Sequence, residues 1–133
     1  MPDSGKLSES ADPSIVLCES SALSNAGLAV PFEVIYCGQK CPAFAIRYAD
    51  QVHAYLNRCT HVPIEMDYQP NQFFDMSSNW LICATHGAMY SPRTGACMGG
   101  PCRGGLVKIQ ITELDGCVRW HTSQYLQPAP LST

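Results

Sequence analysis

Charge is scarce in this chain. Of 133 residues, 14% are Asp, Glu, Lys or Arg, and the formal net charge is −3. No basic block occurs anywhere, so binding to nucleic acid through phosphate neutralisation is not expected. No apolar run approaches the ~18 residues that a membrane span needs. Met1 to Pro13 is polar and acidic and lacks the basic start and apolar core of a secretory signal. These features point to a cytoplasmic protein, in a compartment where paired structural disulfides are rare. Histidine is also sparse: only His53, His61, His86 and His121 occur. Cysteine is the exception. There are eight, about 6% of the chain, above ordinary usage but below a disulfide scaffold. In a reducing setting such cysteines bind metal, do redox chemistry or pack as small apolar residues.

The length supports one domain with tails. Residues 1–13 and 127–133 read as tails, and residues 14–126 as the folded unit. Short apolar runs fill that unit. They are Ile15 to Cys18, Phe32 to Tyr36, Ala43 to Tyr48, Val52 to Asn57, Trp80 to Cys83, Gly105 to Thr112 and Cys117 to His121. Ala49-Asp50-Gln51 and Leu114-Asp115-Gly116 separate two adjacent pairs as turns. Seven short strands at this spacing indicate an all-β fold, an antiparallel sandwich or small barrel. Ser20 to Ala29 is the single helical candidate. The stretch of about 57–104 breaks the pattern. It is rich in Gly, Pro, Cys and His, and reads as a loop-dominated, functional insert.

Two short motifs stand in that insert. The first is Cys59-Thr60-His61 and the second is Cys83-Ala84-Thr85-His86-Gly87. Together they offer two thiolates and two imidazoles on irregular loops, the ligand set of a metal centre. Tetrahedral zinc is one reading, which would make the chain a zinc-stabilised β domain. Its usual spacing pairs Cys with Cys and His with His, whereas each pair here is mixed. A 2Fe–2S cluster with two Cys on one iron and two His on the other accepts mixed pairs from two facing loops directly.

At these residues the sequence resembles the Rieske 2Fe–2S family. The likeness covers Cys59-Thr60-His61, Cys83 to Tyr90, Arg93-Thr94-Gly95 and Gly99-Gly100-Pro101, with weaker features over most of residues 14–122. It implies a small cluster-binding subdomain, set on a base of antiparallel sheets. It implies that Cys59 and Cys83 hold the inner iron, and that His61 and His86 hold the outer iron near the surface. Gly100-Pro101 resembles the family's proline loop, which covers the cluster. High-potential members join the two loops by a disulfide. The corresponding positions here are Ile64 and Thr85, so that bridge is absent. Those members also carry a Ser where this chain has Ala88, while the tyrosine that faces a cluster sulfur is kept as Tyr90. Fewer hydrogen bonds to sulfur imply a potential toward the low end of the Rieske range.

The resemblance is to soluble Rieske ferredoxins and to the Rieske domains of oxygenases. It implies one cluster per chain and a one-electron carrier that is not itself an enzyme and has no small-molecule substrate. A flavin-dependent reductase would supply the electron, and an oxygenase or another acceptor would take it. A small subunit or redox-sensing module docked on a larger enzyme is the alternative. The chain is too short for a second catalytic domain, and its spare histidines, His53 and His121, read as ordinary surface or core residues.

Other cysteines read differently. Cys97 and Cys102 flank Met98 to Pro101 and suit either a redox-active disulfide or packing beneath the proline loop; the compartment favours packing. Cys18 and Cys117 read as core residues. Cys37 and Cys41 flank Gly38 to Lys40, an expected exposed turn. Phe73 and Phe74 sit in the long spacer between the motifs. They read first as packing for that loop and second as a partner-docking feature.

Overall fold

The computed structural model describes residues 14–60, 65–67, 69–85 and 87–129. Residues 1–13, part of the expected tails, lie outside the described residues. Among the described residues, eleven strands make up almost all of the regular structure. They are β1 (Ser14–Glu19), β2 (Val30–Tyr36), β3 (Gln39–Tyr48), β4 (Gln51–Leu56), β5 (Leu81–Ile82), β6 (Met89–Tyr90), β7 (Cys97–Gly99), β8 (Lys108–Ile109), β9 (Ile111–Leu114), β10 (Cys117–His121) and β11 (Leu126–Pro128). Two base sheets form, a five-stranded one in the order β11-β2-β3-β4-β8 and a three-stranded one in the order β1-β10-β9. A third sheet, β5-β6-β7, lies within the insert. All paired strands of the three sheets run antiparallel.

Three hairpins of the base turn in two residues with positive φ at both. These are Cys37-Gly38 (49° and 83°), Ala49-Asp50 (51° and 68°) and Asp115-Gly116 (55° and 76°). Such turns match the twist of the flanking strands, which is why they close hairpins tightly. Ala49-Asp50 has no glycine to ease the strain. Asn25 compensates, donating from Nδ2 to Asp50 Oδ1 and accepting from the Asp50 amide, both at 2.8 Å.

Five local expectations need correction. The helical candidate Ser20 to Ala29 is only a single 3-10 turn, Ser20–Ala22. Leu23 leaves it in extended backbone, and Gly27 among these residues disfavours continuation. The expected strand Gly105 to Thr112 is split at Gln110, whose carbonyl accepts from His121. Gln127 and Pro128, placed in the tail by sequence, pair with Ile35 and Val34 at the sheet edge. Cys41 is buried inside β3 rather than exposed in a turn. The turn falls one residue earlier than expected, so Cys37 alone is exposed. Cys18 and Cys117 are only half-buried.

The placement of the insert follows from β3 and β4. Alternate residues of a strand face opposite sides of the sheet. On one side Cys41, Ala43, Ala45, Ala54 and Leu56 join Val34, Ile109, Val118 and Trp120 in the core between the base sheets. On the other side Phe44, Ile46 and Tyr55 join a second core with Met66, Phe73, Leu81 and Tyr90 from the insert. Both faces are buried, which accounts for the nearly continuous apolar run from Ala43 to Ile46. Phe73 stacks on Phe44 with centroids 3.8 Å apart, and Phe74 stacks on Tyr48 at 6.0 Å. Both phenylalanines therefore serve packing. The Tyr55 hydroxyl donates to the Pro92 carbonyl at 2.8 Å and fixes the Pro92–Gly95 turn against the sheet.

Arg47 ties the base together. Its guanidinium makes a two-pronged contact with Glu113 of β9, at 3.0 and 2.6 Å. It also donates to the carbonyls of Leu23 and Ser20. The hydrogen bonds from Arg47 hold the Glu113 carboxyl below the ordinary carboxylate range, against the opposing effect of burial. A lowered folded pKa means that the unfolded chain takes up this proton first. The stabilisation is then complete above the ordinary value of about 4.3 and is lost as pH falls through the lowered one. Glu113→Gln is expected to cost about 1–2 kcal/mol at pH 7, since it weakens a charged hydrogen bond. Denaturant midpoints at pH 7 and at pH 4 should then differ less for the variant than for the parent chain.

Candidate metal centre

Cys59 lies three residues beyond the end of β4. The strand ends because Asn57 turns its side chain into the first loop. Its Oδ1 accepts from the Met66 amide at 2.7 Å, and its Nδ2 donates to Asp67 Oδ1 at 2.8 Å. Asp67 in turn accepts from the Asn71 amide at 2.8 Å. The loop that carries Cys59-Thr60-His61 is thus clamped where it leaves and where it returns. Asn57 is itself buried, and its paired hydrogen bonds make that burial affordable.

Cys83 follows β5 directly. Its amide donates to the Ala88 carbonyl, and its carbonyl accepts from the Gly87 amide, both at 2.8 Å. These bonds close the second motif into a tight turn, with Gly87 at a φ of 79°. The second motif is tied to the returning end of the first loop by the Ala84 amide, which donates to the Met66 carbonyl at 2.9 Å.

Both thiols sit in the second core, with Cys59 2% exposed and Cys83 0%. Ala88 and Tyr90 belong to the same core. The Tyr90 hydroxyl lies 3.7 Å from Cys59 Sγ, accepts from the Thr60 amide at 3.0 Å and contacts Thr60 Oγ1 at 2.8 Å. Burial raises the Tyr90 pKa above the ordinary tyrosine value. The hydroxyl therefore keeps its proton and remains a donor at neutral pH. Thr60 Oγ1 extends the connection, accepting from the Arg103 amide at 3.1 Å and facing the Gly104 carbonyl at 3.2 Å.

The Gly99-Gly100-Pro101 segment approaches from the other side. Gly100 has a φ of 77°, and a Cβ placed on it would stand 2.6 Å from the Gly87 carbonyl oxygen and 2.9 Å from Ala88 Cα. Only glycine permits that approach. Pro101, next in the chain, is exposed. Cys97 and Cys102, on either side of this segment, are joined by a disulfide with Cα atoms 5.9 Å apart, inside the ordinary span. The packing role favoured on compartment grounds is thus only half of the picture: Cys102 does pack against the second core, and it is also bridged.

Of the sequence-predicted ligands, Cys59 and Cys83 come together in one core. His61 and His86 lie outside the described residues, as does Ile64. Thr85, the other position of the missing loop disulfide, is exposed. His53 pairs with Ile46 within the base sheet, and His121 contacts Thr112 at 3.0 Å. Sequence reasoning missed three polar residues of the centre: the Asn57–Asp67 clamp and Thr60 as the partner of Tyr90. Asn and Asp bracketing a Cys-x-His motif ten residues apart was the available signal for the clamp.

Comparison with known proteins agrees with this arrangement. The model of the Rieske [2Fe-2S] domain matches residues 14–112. No curated protein matches the chain. Among solved structures, the ferredoxin of carbazole 1,9a-dioxygenase from Nocardioides aromaticivorans IC177 superposes with a TM-score of 0.64 and 21% identity, over 80% of this chain and 95% of that one. The Sphingomonas yanoikuyae B1 ferredoxin gives 0.60 and 22%, over 82% and 98%. The terminal oxygenase of carbazole 1,9a-dioxygenase from Novosphingobium sp. KA1 gives 0.62 and 20%, over 80% of this chain but 29% of that one. At these identities the structures establish a shared fold. The family match spans most of the chain and takes in both motifs, and the chain belongs to the Rieske [2Fe-2S] domain family.

Proposed function

We propose that this chain is a one-electron carrier of the Rieske ferredoxin type. Cys59, His61, Cys83 and His86 are its cluster ligands. The observation that carries the reading is the pair of buried thiols just beyond the ends of β4 and β5, within the matched residues. The surroundings fit the cofactor. A buried thiolate needs a metal or a donor, and the Tyr90 hydroxyl lies 3.7 Å from Cys59 Sγ. When bound, the 2Fe–2S cluster takes up and releases a single electron. The protein's part is to keep the donors rigid and the site dry. Asn57 and Asp67 fix the first loop, Gly87 and Ala88 the second, and Phe44, Phe73 and Leu81 exclude water beneath them. Solved complexes pair ferredoxin with the oxygenase of carbazole 1,9a-dioxygenase. Likeness to that ferredoxin fold supports an oxygenase as the electron acceptor here; a flavin-dependent reductase is the donor in this reading. Among the described residues no helix is long and apolar enough to cross a membrane.

The purified protein is expected to show visible iron–sulfur absorption and the spin-resonance signature of a Rieske centre when reduced. Cys59→Ser and Cys83→Ser should abolish both. Colourless protein containing zinc would refute the reading. The intact carrier should be reduced by a flavin-dependent reductase and reoxidised by an oxygenase, and the two serine variants should not.

Hydrogen bonds to the sulfurs set the potential. Ala88 supplies none, so a midpoint below zero is expected, toward the family's lower limit of roughly −150 mV. Redox titration checks the value. In the same assay Tyr90→Phe should lower the midpoint further and Ala88→Ser should raise it.

Gly100→Ala places a methyl group against the backbone of Gly87 at an unfavourable φ. A loss of about 1–3 kcal/mol in denaturant unfolding is expected, together with a lower iron content as purified.

A further inference from the structure

The proposed function leaves Cys97 and Cys102 without a role. Their position suggests one. Cys97 lies in β7 directly opposite Tyr90, the residue that faces Cys59. Cys102 packs on the core that contains Cys59, Cys83 and Tyr90. Between them, Gly100 rests on Gly87 and Ala88 of the second motif loop. Immediately after them, the Arg103 amide donates to Thr60 of the first motif loop. The disulfide therefore closes a six-residue ring, with one side on each motif loop. Without it, the segment would be held by these contacts alone, and Gly100 has the backbone freedom to leave them.

We propose that Cys97–Cys102 is a second redox site of this chain, a disulfide that a dithiol reductant opens to release the proline loop from the two motif loops. Both cysteines are half-buried, and Met98, Gly100, Pro101 and Arg103 beside them are exposed, so a small reductant can reach the bridge. The chemistry is ordinary exchange. One thiolate of the reductant attacks a bridge sulfur and forms a mixed disulfide. The released cysteine thiolate takes up a proton. The reductant's second thiol then displaces the other cysteine, leaving two protein thiols and one cyclic disulfide. Two electrons and two protons enter the protein. This couple differs in kind from the one-electron centre that it covers.

The inference rests on the reading that the cluster lies between the two motif loops, and its test separates the two. The holoprotein is prepared with the bridge closed by oxidised glutathione, or opened by dithiothreitol and desalted without air. A Cys97→Ser/Cys102→Ser double variant forms the third arm. Alkylation and mass spectrometry count thiols at both positions. Two readouts follow: loss of visible absorption to an iron chelator, and deuterium exchange at the Arg103 amide. In the open form and the double variant, cluster loss is expected to be roughly tenfold faster than in the closed form. Exchange at Arg103 should be faster too. Cys37→Ser should respond to dithiothreitol as the parent chain does. Alkylation of both cysteines after glutathione treatment would overturn the proposal, as would equal exchange and equal cluster loss in closed and open protein. If the double variant does not fold, the opened parent chain decides alone. Absence of cluster absorption in every arm would sink the ligand reading, while the exchange comparison would still decide on the latch.

Discussion

The fold depends on a sheet that is buried on both sides. β3 and β4 place small side chains toward the base and aromatic ones toward the insert. Ala43, Ala45 and Ala54 let the two base sheets close over them, while Phe44 and Tyr55 present a broad apolar platform to loops that have little regular structure of their own. A loop-rich segment cannot bury itself, because unpaired backbone is costly away from water. Here it rests on rings instead. Stacking of Phe73 on Phe44 and the bond from Tyr55 to Pro92 anchor the insert at two separate places. The short β5-β6-β7 sheet then has only to aim the second motif.

On that platform the centre is fixed by polar contacts that no strand ladder provides. Asn57 and Asp67 act as a clasp on the first loop. Gly87 and Ala88 turn the second. Thr60 and Tyr90 join the two across the core. Rigidity matters for a one-electron site, because a centre whose surroundings scarcely move on reduction transfers electrons with little reorganisation. The Asn57 bond to the Met66 amide is buried and the rest of the two clasps is part-buried or at the surface.

Much of this was legible in the amino-acid sequence. The apolar runs from Ala43 to Tyr48 and from Val52 to Asn57, on either side of a turn, foretold the central hairpin, and the mixed Cys/His motifs led to the two buried cysteines. Local chemistry fixes such features within a few residues. The misses were of two kinds. Ser20 to Ala29 looked helical by composition, yet packing of Leu23 and the carbonyls that Arg47 claims hold it otherwise. Asn57, Asp67 and Thr60 were missed because a polar residue in a loop shows its partner only after folding. Cys97 and Cys102 were weighed by compartment, which says nothing about whether two backbone positions approach each other closely enough to bridge.

Thr60, which follows Cys59 in the first motif, has a consequence for how hydrogens are shared. Thr60 owns one hydroxyl hydrogen and faces two oxygens, those of Tyr90 and Gly104. If it gives that hydrogen to Gly104, the tyrosine hydrogen is drawn toward Thr60. If it gives it to Tyr90, the tyrosine hydrogen is left to point at Cys59 sulfur. The choice that Thr60 makes between these two oxygens therefore decides where the Tyr90 hydrogen points. Gly104, Thr60 and Tyr90 thus form a chain of two hydroxyls that runs from a backbone carbonyl to the neighbourhood of a buried thiol.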